Sequence, residues 1–165
     1  MKMDTKLRPN HHLDLTISGL GGWLILVQIG LFISLARAVY YLLDAMSVWK
    51  QWDTIMDEES FYYDPLWPSL TVFESVYNGF IVIFCLYIVI NFYMKKSIVP
   101  RLMIILYSSN LLAAVIDYAM IQQITFAKQL DNGDAEKVLY RAILAAAIWI
   151  PYFLRSRRVR QTFVR

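Results

Sequence analysis

The sequence contains few charged residues for its length. Asp, Glu, Lys and Arg make up 18% of its 165 residues, whereas hydrophobic residues make up 58%. Soluble domains carry charge on about a quarter of their residues, so this composition excludes an ordinary soluble fold and predicts an integral membrane protein. Because one bilayer crossing takes roughly 20 apolar helical residues, the chain accommodates four crossings and leaves no room for a separate soluble domain.

Cysteine and histidine are almost absent. The single cysteine, Cys85, lies within an apolar run, which excludes an intrachain disulfide and is typical of a small buried hydrophobic side chain. The two histidines, His11 and His12, are adjacent, and neighbouring side chains point apart in a helix or a strand. Solvated imidazole rings are therefore favoured over a metal site, and we expect no metal and no cofactor.

Recognisable catalytic motifs are also lacking. The chain has no nucleophile elbow, zinc-protease signature or phosphate-binding loop. The sequence DNGD at 131–134 is similar to the start of a calcium loop, but Ala142 stands where the final bidentate acid is needed, so a turn is favoured. We expect that the protein is not an enzyme, although Glu74 and Asp117 could act as acid and base.

Four apolar runs in the chain are long enough to cross a bilayer. The expected fold is an all-α membrane protein in which 18–154 form a bundle of four transmembrane helices, because transmembrane strands would be far shorter and would alternate in polarity. The first run follows no small-residue cleavage site, so we expect a retained helix rather than a removed signal peptide. The predicted helices are at about 19–43, 71–94, 102–127 and 138–154.

The longest loop, 44–70, contains a helical pattern of its own. Met46, Trp49, Trp52 and Met56 recur at spacings of three and four, which gives a helix one apolar face. This helix is expected either to extend the first transmembrane helix or to lie along the membrane interface, where aromatic side chains settle. An interfacial anchor is favoured over an aromatic ligand cage.

Basic residues are distributed unevenly among the segments that flank the runs. The segment 1–17, the loop after the second run and the tail 155–165 are rich in Lys and Arg, whereas the other two loops are rich in Asp and Glu. Since basic flanks resist translocation, both termini are predicted to be cytoplasmic.

The basic tail is expected to contact anionic lipid headgroups, with a docking motif for a partner as the alternative. No nucleic-acid-binding motif accompanies its charge, so nucleic acid is not an expected partner. The residues expected to make these contacts are Arg155, Arg157, Arg158 and Arg160.

Each apolar run also contains polar or charged side chains that a lipid-facing position would penalise. Counting 1.5 Å per residue from the middle of each run places Arg37, Asp117 and Arg141 roughly 5–8 Å toward the outer side, with Asn78 about 9 Å and Glu74 about 15 Å out. A charge that faces lipid costs about 2.5–3.5 kcal/mol, so these side chains are expected to face the inside of the bundle.

Two interpretations of this intramembrane charge cluster stay open. Arg37 could pair with Asp117, and Arg141 with either acid, in a structural network that fixes the order of the helices, while Glu74 could cap the second helix together with Thr71. The other interpretation is a polar pocket that opens to the outer side and binds a small ligand. An anionic ligand is expected if the two arginines outnumber the ionised acids.

A set of residues near the two ends of the chain resembles a known family. The matching residues are Gly21, Gly22, Trp23, Trp149, Pro151, Tyr152, Ser156, Arg158, Val159, Thr162 and Phe163. With them, the segment from about 18 to 164 resembles the YdgK-like family of small bacterial inner-membrane proteins, a domain of unknown function. The resemblance implies a four-helix protein of the bacterial inner membrane, and it implies no activity.

Two functions are compatible with these features. The first is an accessory or interaction module that oligomerises or associates with another membrane protein. The alternative is a small transporter or binding protein whose outer pocket is formed by Arg37, Asp117 and Arg141. The first is favoured, because a dual-topology transporter needs balanced flanking charge and no inverted repeat is visible.

Overall fold

A computed structural model describes residues 19–59 and 63–164, and the regular structure in these ranges is helical. The expectations for the segment 1–17, including His11 and His12, lie outside the described residues. The helices in chain order are α1 (Trp23–Lys50), α2 (Trp52–Met56), α3 (Trp67–Tyr93), α4 (Val99–Gln123), α5 (Thr125–Leu130), α6 (Asp134–Arg155) and α7 (Arg157–Thr162).

Four of the helices, α1, α3, α4 and α6, are long and apolar enough to span a membrane. Their lengths are between 22 and 28 residues, against the roughly 20 that a crossing needs. Large apolar side chains such as Ile83 and Leu144 are exposed on their outer faces, which is the surface that bilayer hydrocarbon would cover. For residues 19–59 and 63–164, the prediction of a helical protein with four potential membrane spans is confirmed.

The helical pattern in the loop 44–70 becomes an extension of α1, which continues to Lys50 rather than ending near Leu43. The short α2 follows after Gln51. The rings of Trp49 and Trp52 stack with their centroids 4.6 Å apart, and Trp49 Nε1 donates a hydrogen bond to Ser75 Oγ of α3 over 2.9 Å. This contact ties the extended end of α1 to its neighbour.

Two other helix ends also differ from the sequence-based boundaries. The third apolar run is divided, because α4 ends at Gln123 and the extended conformation of Ile124 separates it from α5. α6 begins at Asp134 rather than near 138, since Asp131 Oδ1 accepts hydrogen bonds from the backbone N–H groups of Asp134 (2.7 Å) and Ala135 (3.0 Å). Gly133 adopts a left-handed conformation (φ 79°), as a turn before a helix allows.

The four long helices form two pairs. α1 packs mainly against α3, and α6 packs mainly against α4, while contacts between α3 and α4 join the pairs. We call the end of the bundle that holds the loop 94–98 and α7 the basic end, and the end that holds α2, α5 and the turn 131–133 the acidic end. The larger apolar core, which includes Leu24, Ile88, Phe92, Met103 and Leu106, fills the half nearer the basic end.

The helix α7 lies at the basic end and completes this core. Ser156 Oγ accepts a hydrogen bond from the backbone N–H of Val159 (3.4 Å) and so caps the helix. Thr162 Oγ1 accepts from the backbone N–H of Gly19 (3.1 Å) and donates to the carbonyl oxygen of Gly19 (3.3 Å). The ring of Phe163 meets that of Phe92 edge-on at 5.1 Å. The basic tail is therefore a docked helix.

Candidate functional site

A cavity of about 420 Å³ lies between the two helix pairs in the half nearer the acidic end. Small-molecule sites in proteins usually have volumes of roughly 300–1,000 Å³, so a small solute fits this space. All four long helices contribute to its wall, and the turn 131–133 with the start of α6 borders it at the acidic end. The apolar core described above closes the cavity toward the basic end.

The structure brings the five residues of the intramembrane charge cluster into this one cavity. The helix α1 supplies one side chain, α3 two, α4 one and α6 one. Their positions come from the inward faces of the helices, because each apolar outer face is left for lipid. These lining residues are Arg37, Glu74, Asn78, Asp117 and Arg141.

Glu74 and Asp117 face each other across the contact between α3 and α4. Their carboxyl groups are near enough to interact through charge and hydrogen bonding, and both side chains are partly buried. Asp117 Oδ1 is buried and has no hydrogen-bond partner. A buried carboxyl oxygen without a hydrogen-bond donor or a cation is energetically costly. This acid pair is therefore the most costly feature of the site.

The two arginines lie near residues of their own helices and do not pair with Glu74 or Asp117. Arg37 Nη2 donates a hydrogen bond to Tyr41 Oη over 3.4 Å, and its guanidinium carbon lies 5.6 Å from the centre of that ring. Tyr41 is one turn nearer the acidic end of α1. Arg141 lies close enough to Asp134, at the start of α6, to interact with its charge. Arg37 thus has a local contact on its own helix, and Arg141 lies near an acid of its own helix.

The ion-pair interpretation of the charge cluster is wrong for the residues that the structure describes. Among them, the only ion pair joins Lys137 Nζ to Asp134 Oδ1 at 2.8 Å, in an exposed position on α6. Neither arginine comes within ion-pair distance of Glu74 or Asp117 in the described part of the chain. In the described part of the chain, no cation forms an ion pair with either member of the acid pair.

The capping interpretation of Glu74 is also wrong. α3 begins at Trp67 with Leu66 as its N-cap, so Thr71 and Glu74 lie in the body of the helix rather than at its start. Thr71 is buried, and its carbonyl oxygen accepts a hydrogen bond from Ser75 Oγ over 2.7 Å. Glu74 therefore has no capping role, and its carboxyl group is directed into the cavity.

Neutral polar and aromatic side chains complete the wall between α3 and α4. Tyr77 Oη donates a hydrogen bond to Asn110 Oδ1 over 2.7 Å, and the ring of Tyr77 stacks on that of Phe73 with centroids 5.9 Å apart. Asn78 Nδ2 donates to the backbone carbonyl of Glu74 over 2.8 Å. Tyr77 is not among the predicted site residues, although its position three residues after Glu74 places it on the same helix face.

Three further acids line the cavity, namely Asp44, Asp131 and Asp134. The predicted boundaries of the first and fourth helices leave Asp44 and Asp134 in loops, whereas Asp131 does lie in the turn before α6. Asp131 is engaged in capping α6, and Asp134 is paired with Lys137. With Glu74 and Asp117, the cavity wall holds five carboxyl groups and two guanidinium groups.

No group of three or more His, Cys, Asp or Glu side chains suited to a metal ion is found in 19–59 and 63–164. The arginines of the tail do not belong to the cavity, because they lie at the basic end. Arg155, Arg157 and Arg160 are exposed there, whereas Arg158 is half-buried with its guanidinium group against Gly22.

Comparison with known proteins gives one result. A family model described as "Protein of unknown function (DUF2569)" matches residues 17–164. No curated protein and no solved structure matches the chain significantly.

Proposed function

Because the chain belongs to the DUF2569 family, whose function is unknown, its role must be argued from its own site, and we propose that it is a membrane binding protein or small transporter. The solute would occupy the cavity between the two helix pairs. The observation that carries this proposal is a space of about 420 Å³ within a potential membrane bundle, with side chains of Arg37, Asp117 and Arg141 in its wall. Intramembrane ionisable residues that face a cavity are typical of ligand and ion pathways.

The state of the charges supports a binding role over a purely structural one. A structural network would require the charged groups to compensate one another within the bundle. Arg37 instead contacts Tyr41, and Asp117 Oδ1 has no partner among the described residues. A buried carboxyl group in a membrane interior is costly unless a proton, a solute or water meets it. We therefore expect no enzymatic reaction and a site that serves binding.

We further propose a location in the bacterial inner membrane with both termini in the cytoplasm. The resemblance to YdgK-like proteins supports this membrane, and the distribution of charge supports this orientation. Lys95, Lys96 and Arg101 lie in or beside the loop at the basic end, together with the arginines of the tail, whereas the acids of the described residues lie toward the other end. In this orientation the cavity opens away from the cytoplasm.

The experiment is a solute screen on the purified protein in nanodiscs, read as the midpoint of thermal denaturation. A ligand at 100 times its Kd stabilises the folded state by about 2.7 kcal/mol, which moves the midpoint measurably. We expect at least one class among amines, amino acids, carboxylates, phosphates and sugars to raise the midpoint of the natural protein and to have little effect on Asp117→Asn.

The matched control is Arg155→Gln, which removes an exposed charge at the basic end and should leave the ligand effect unchanged. A screen in which no class raises the midpoint would contradict the binding role. It would favour the alternative proposal of an accessory module that oligomerises or accompanies another membrane protein, since that role does not require a solute in the cavity.

A further inference from the structure

We infer that the solute of the cavity is a small organic cation whose ammonium group binds at Glu74 and Asp117. This inference rests on the proposed binding function and names the ligand class of the same site. It differs from the sequence-based expectation of an anion, which assumed that the arginines would outnumber the ionised acids at this level. Five carboxyl groups and two guanidinium groups line the cavity.

The contacts of the charged side chains also support a cationic ligand. Arg37 donates a hydrogen bond to Tyr41, one turn nearer the acidic end, and Arg141 lies near Asp134, so neither guanidinium group is paired with the acid pair. Glu74 and Asp117 remain together between α3 and α4 with no cation beside them in the described part of the chain. Two carboxyl groups in contact repel when both are ionised, and a cation placed between them removes that repulsion.

The carboxyl group of Asp117 gives the cation a position in the cavity wall. Asp117 Oδ1 has no hydrogen-bond partner but is buried from solvent, so it would accept an N–H donor from a ligand once the side chain turns, without losing an existing bond. Asn78 uses its amide to bind the backbone carbonyl of Glu74, and it does not compete for this oxygen. A protonated amine has the donors that this oxygen lacks, and charge-assisted hydrogen bonds of this kind are the strong ones.

The rest of the wall suits an organic cation better than a metal ion. Phe73, Tyr77 and Tyr107 contribute aromatic surface to the cavity, and the face of an aromatic ring attracts an ammonium group within about 6 Å. Metal ions such as Ca²⁺ need about six or more oxygen ligands, whereas the described residues hold no group of three suitable side chains. The volume of about 420 Å³ also exceeds what a bare ion would fill.

The experiment uses three probes that share one aromatic ring and differ in charge, namely benzylammonium, benzyl alcohol and benzoate. Binding to the protein in nanodiscs of zwitterionic lipid is measured by calorimetric titration at pH 7, with empty nanodiscs as the blank. We expect saturable binding of benzylammonium, with affinity for benzyl alcohol and benzoate lower by about tenfold or more.

Variants identify the site. Asp117→Asn and Glu74→Gln should each weaken benzylammonium binding by about tenfold or more, and Asp117→Glu should retain most of it because the charge is kept. The matched control, Asp53→Asn, removes an exposed acid of α2 that does not line the cavity, and it should leave the affinity unchanged. Size-exclusion profiles show whether each variant is folded, and the Asp117→Glu variant tests charge without loss of the acid.

The outcomes separate this inference from the proposed function. Stronger binding of benzoate than of benzylammonium would overturn the cationic ligand and leave a binding protein in place. An equal effect of Asp53→Asn and Asp117→Asn would overturn the assigned position, because general surface charge would then explain the binding. Absence of binding by all three probes to folded protein would overturn the cation inference, while the wider solute screen decides the binding role.

Discussion

At the residue scale, Gly22 shows how one missing side chain joins the two ends of the chain. Its backbone has a φ of +60°, and a Cβ added there would lie 2.6 Å from Arg158 Nη1. Gly22 directly precedes α1, and Arg158 belongs to α7, so the close approach of the guanidinium group to this backbone holds the tail against the first long helix. The absence of a Cβ at Gly22 is what allows that approach.

The substitution Gly22→Ala should lower the thermal denaturation midpoint of the protein in detergent. The strained backbone conformation and the contact with Arg158 together should cost about 1–3 kcal/mol. The matched control is Gly30→Ala within α1, where an added Cβ meets nothing within 4 Å and should be neutral or stabilise by roughly 0.5–1 kcal/mol. Equal midpoints for the two variants would show that Arg158 does not rest on this backbone.

The sequence predicted that Arg37, Asp117 and Arg141 lie in the spans, but it placed Asp44 and Asp134 in loops. It could not predict what each charged side chain contacts. The inward direction of Asp117 follows from the cost of a charge in lipid, which depends only on depth. Arg37 can bond either to Tyr41, one turn away on the same helix, or to Asp117 on another helix, whichever is nearer. The distance from Arg37 to Asp117 is set by the spacing of the helix pairs. Sequence spacing alone does not show whether a charged side chain pairs with a residue of its own helix or with one of another helix.

At the element scale, α7 is a short helix whose apolar face completes the core at the basic end. Val159 is fully buried and Phe163 is 4% exposed, although four of the residues at 155–160 are arginines. The spacing of Val159, Thr162 and Phe163 by three and four positions indicates one helix face. The sequence predicts only a basic tail here, because the net charge dominates the composition of the segment and the docking surface at Gly19 and Phe92 is distant in sequence.

The substitution Phe163→Ala should destabilise the protein by about 3 kcal/mol or more, because it leaves a cavity beside Phe92. The matched control, Val164→Ala, changes an exposed neighbour and should shift the midpoint of thermal denaturation little. Solute binding in the acidic half should persist in folded Phe163→Ala protein, since α7 lies at the opposite end. A midpoint for Phe163→Ala equal to that of the control would mean that α7 does not dock.

At the scale of the whole molecule, the two halves of the bundle differ in packing. The half nearer the basic end is filled by large apolar side chains, whereas the half nearer the acidic end encloses the cavity. The four potential spans could be predicted from composition because hydropathy is additive along the chain. The difference in packing between the two halves could not be predicted, since it depends on how closely the α1 and α3 pair approaches the α4 and α6 pair.

This asymmetry predicts that the cavity is accessible to solutes from one side only. Cys85 is the single cysteine and is buried, so Cys85→Ala provides a background without reactive thiols. Two substitutions are made separately in this background. Ala145→Cys places a thiol in the cavity wall, whereas Ala146→Cys places one at a buried position of the same helix that does not line the cavity. A membrane-impermeant thiol reagent added to intact bacterial cells should modify the first and spare the second.

The same labelling tests the orientation and the charge of the cavity together. Ser97→Cys, in the exposed loop at the basic end, should react only after the cells are permeabilised if that end is cytoplasmic. At Ala145→Cys a cationic reagent should react about tenfold faster than an anionic one of similar size, because the carboxyl groups of the wall concentrate cations. Labelling of Ser97→Cys but not Ala145→Cys in intact cells would reverse the orientation, and a faster anionic reagent would contradict the charge assigned to the cavity.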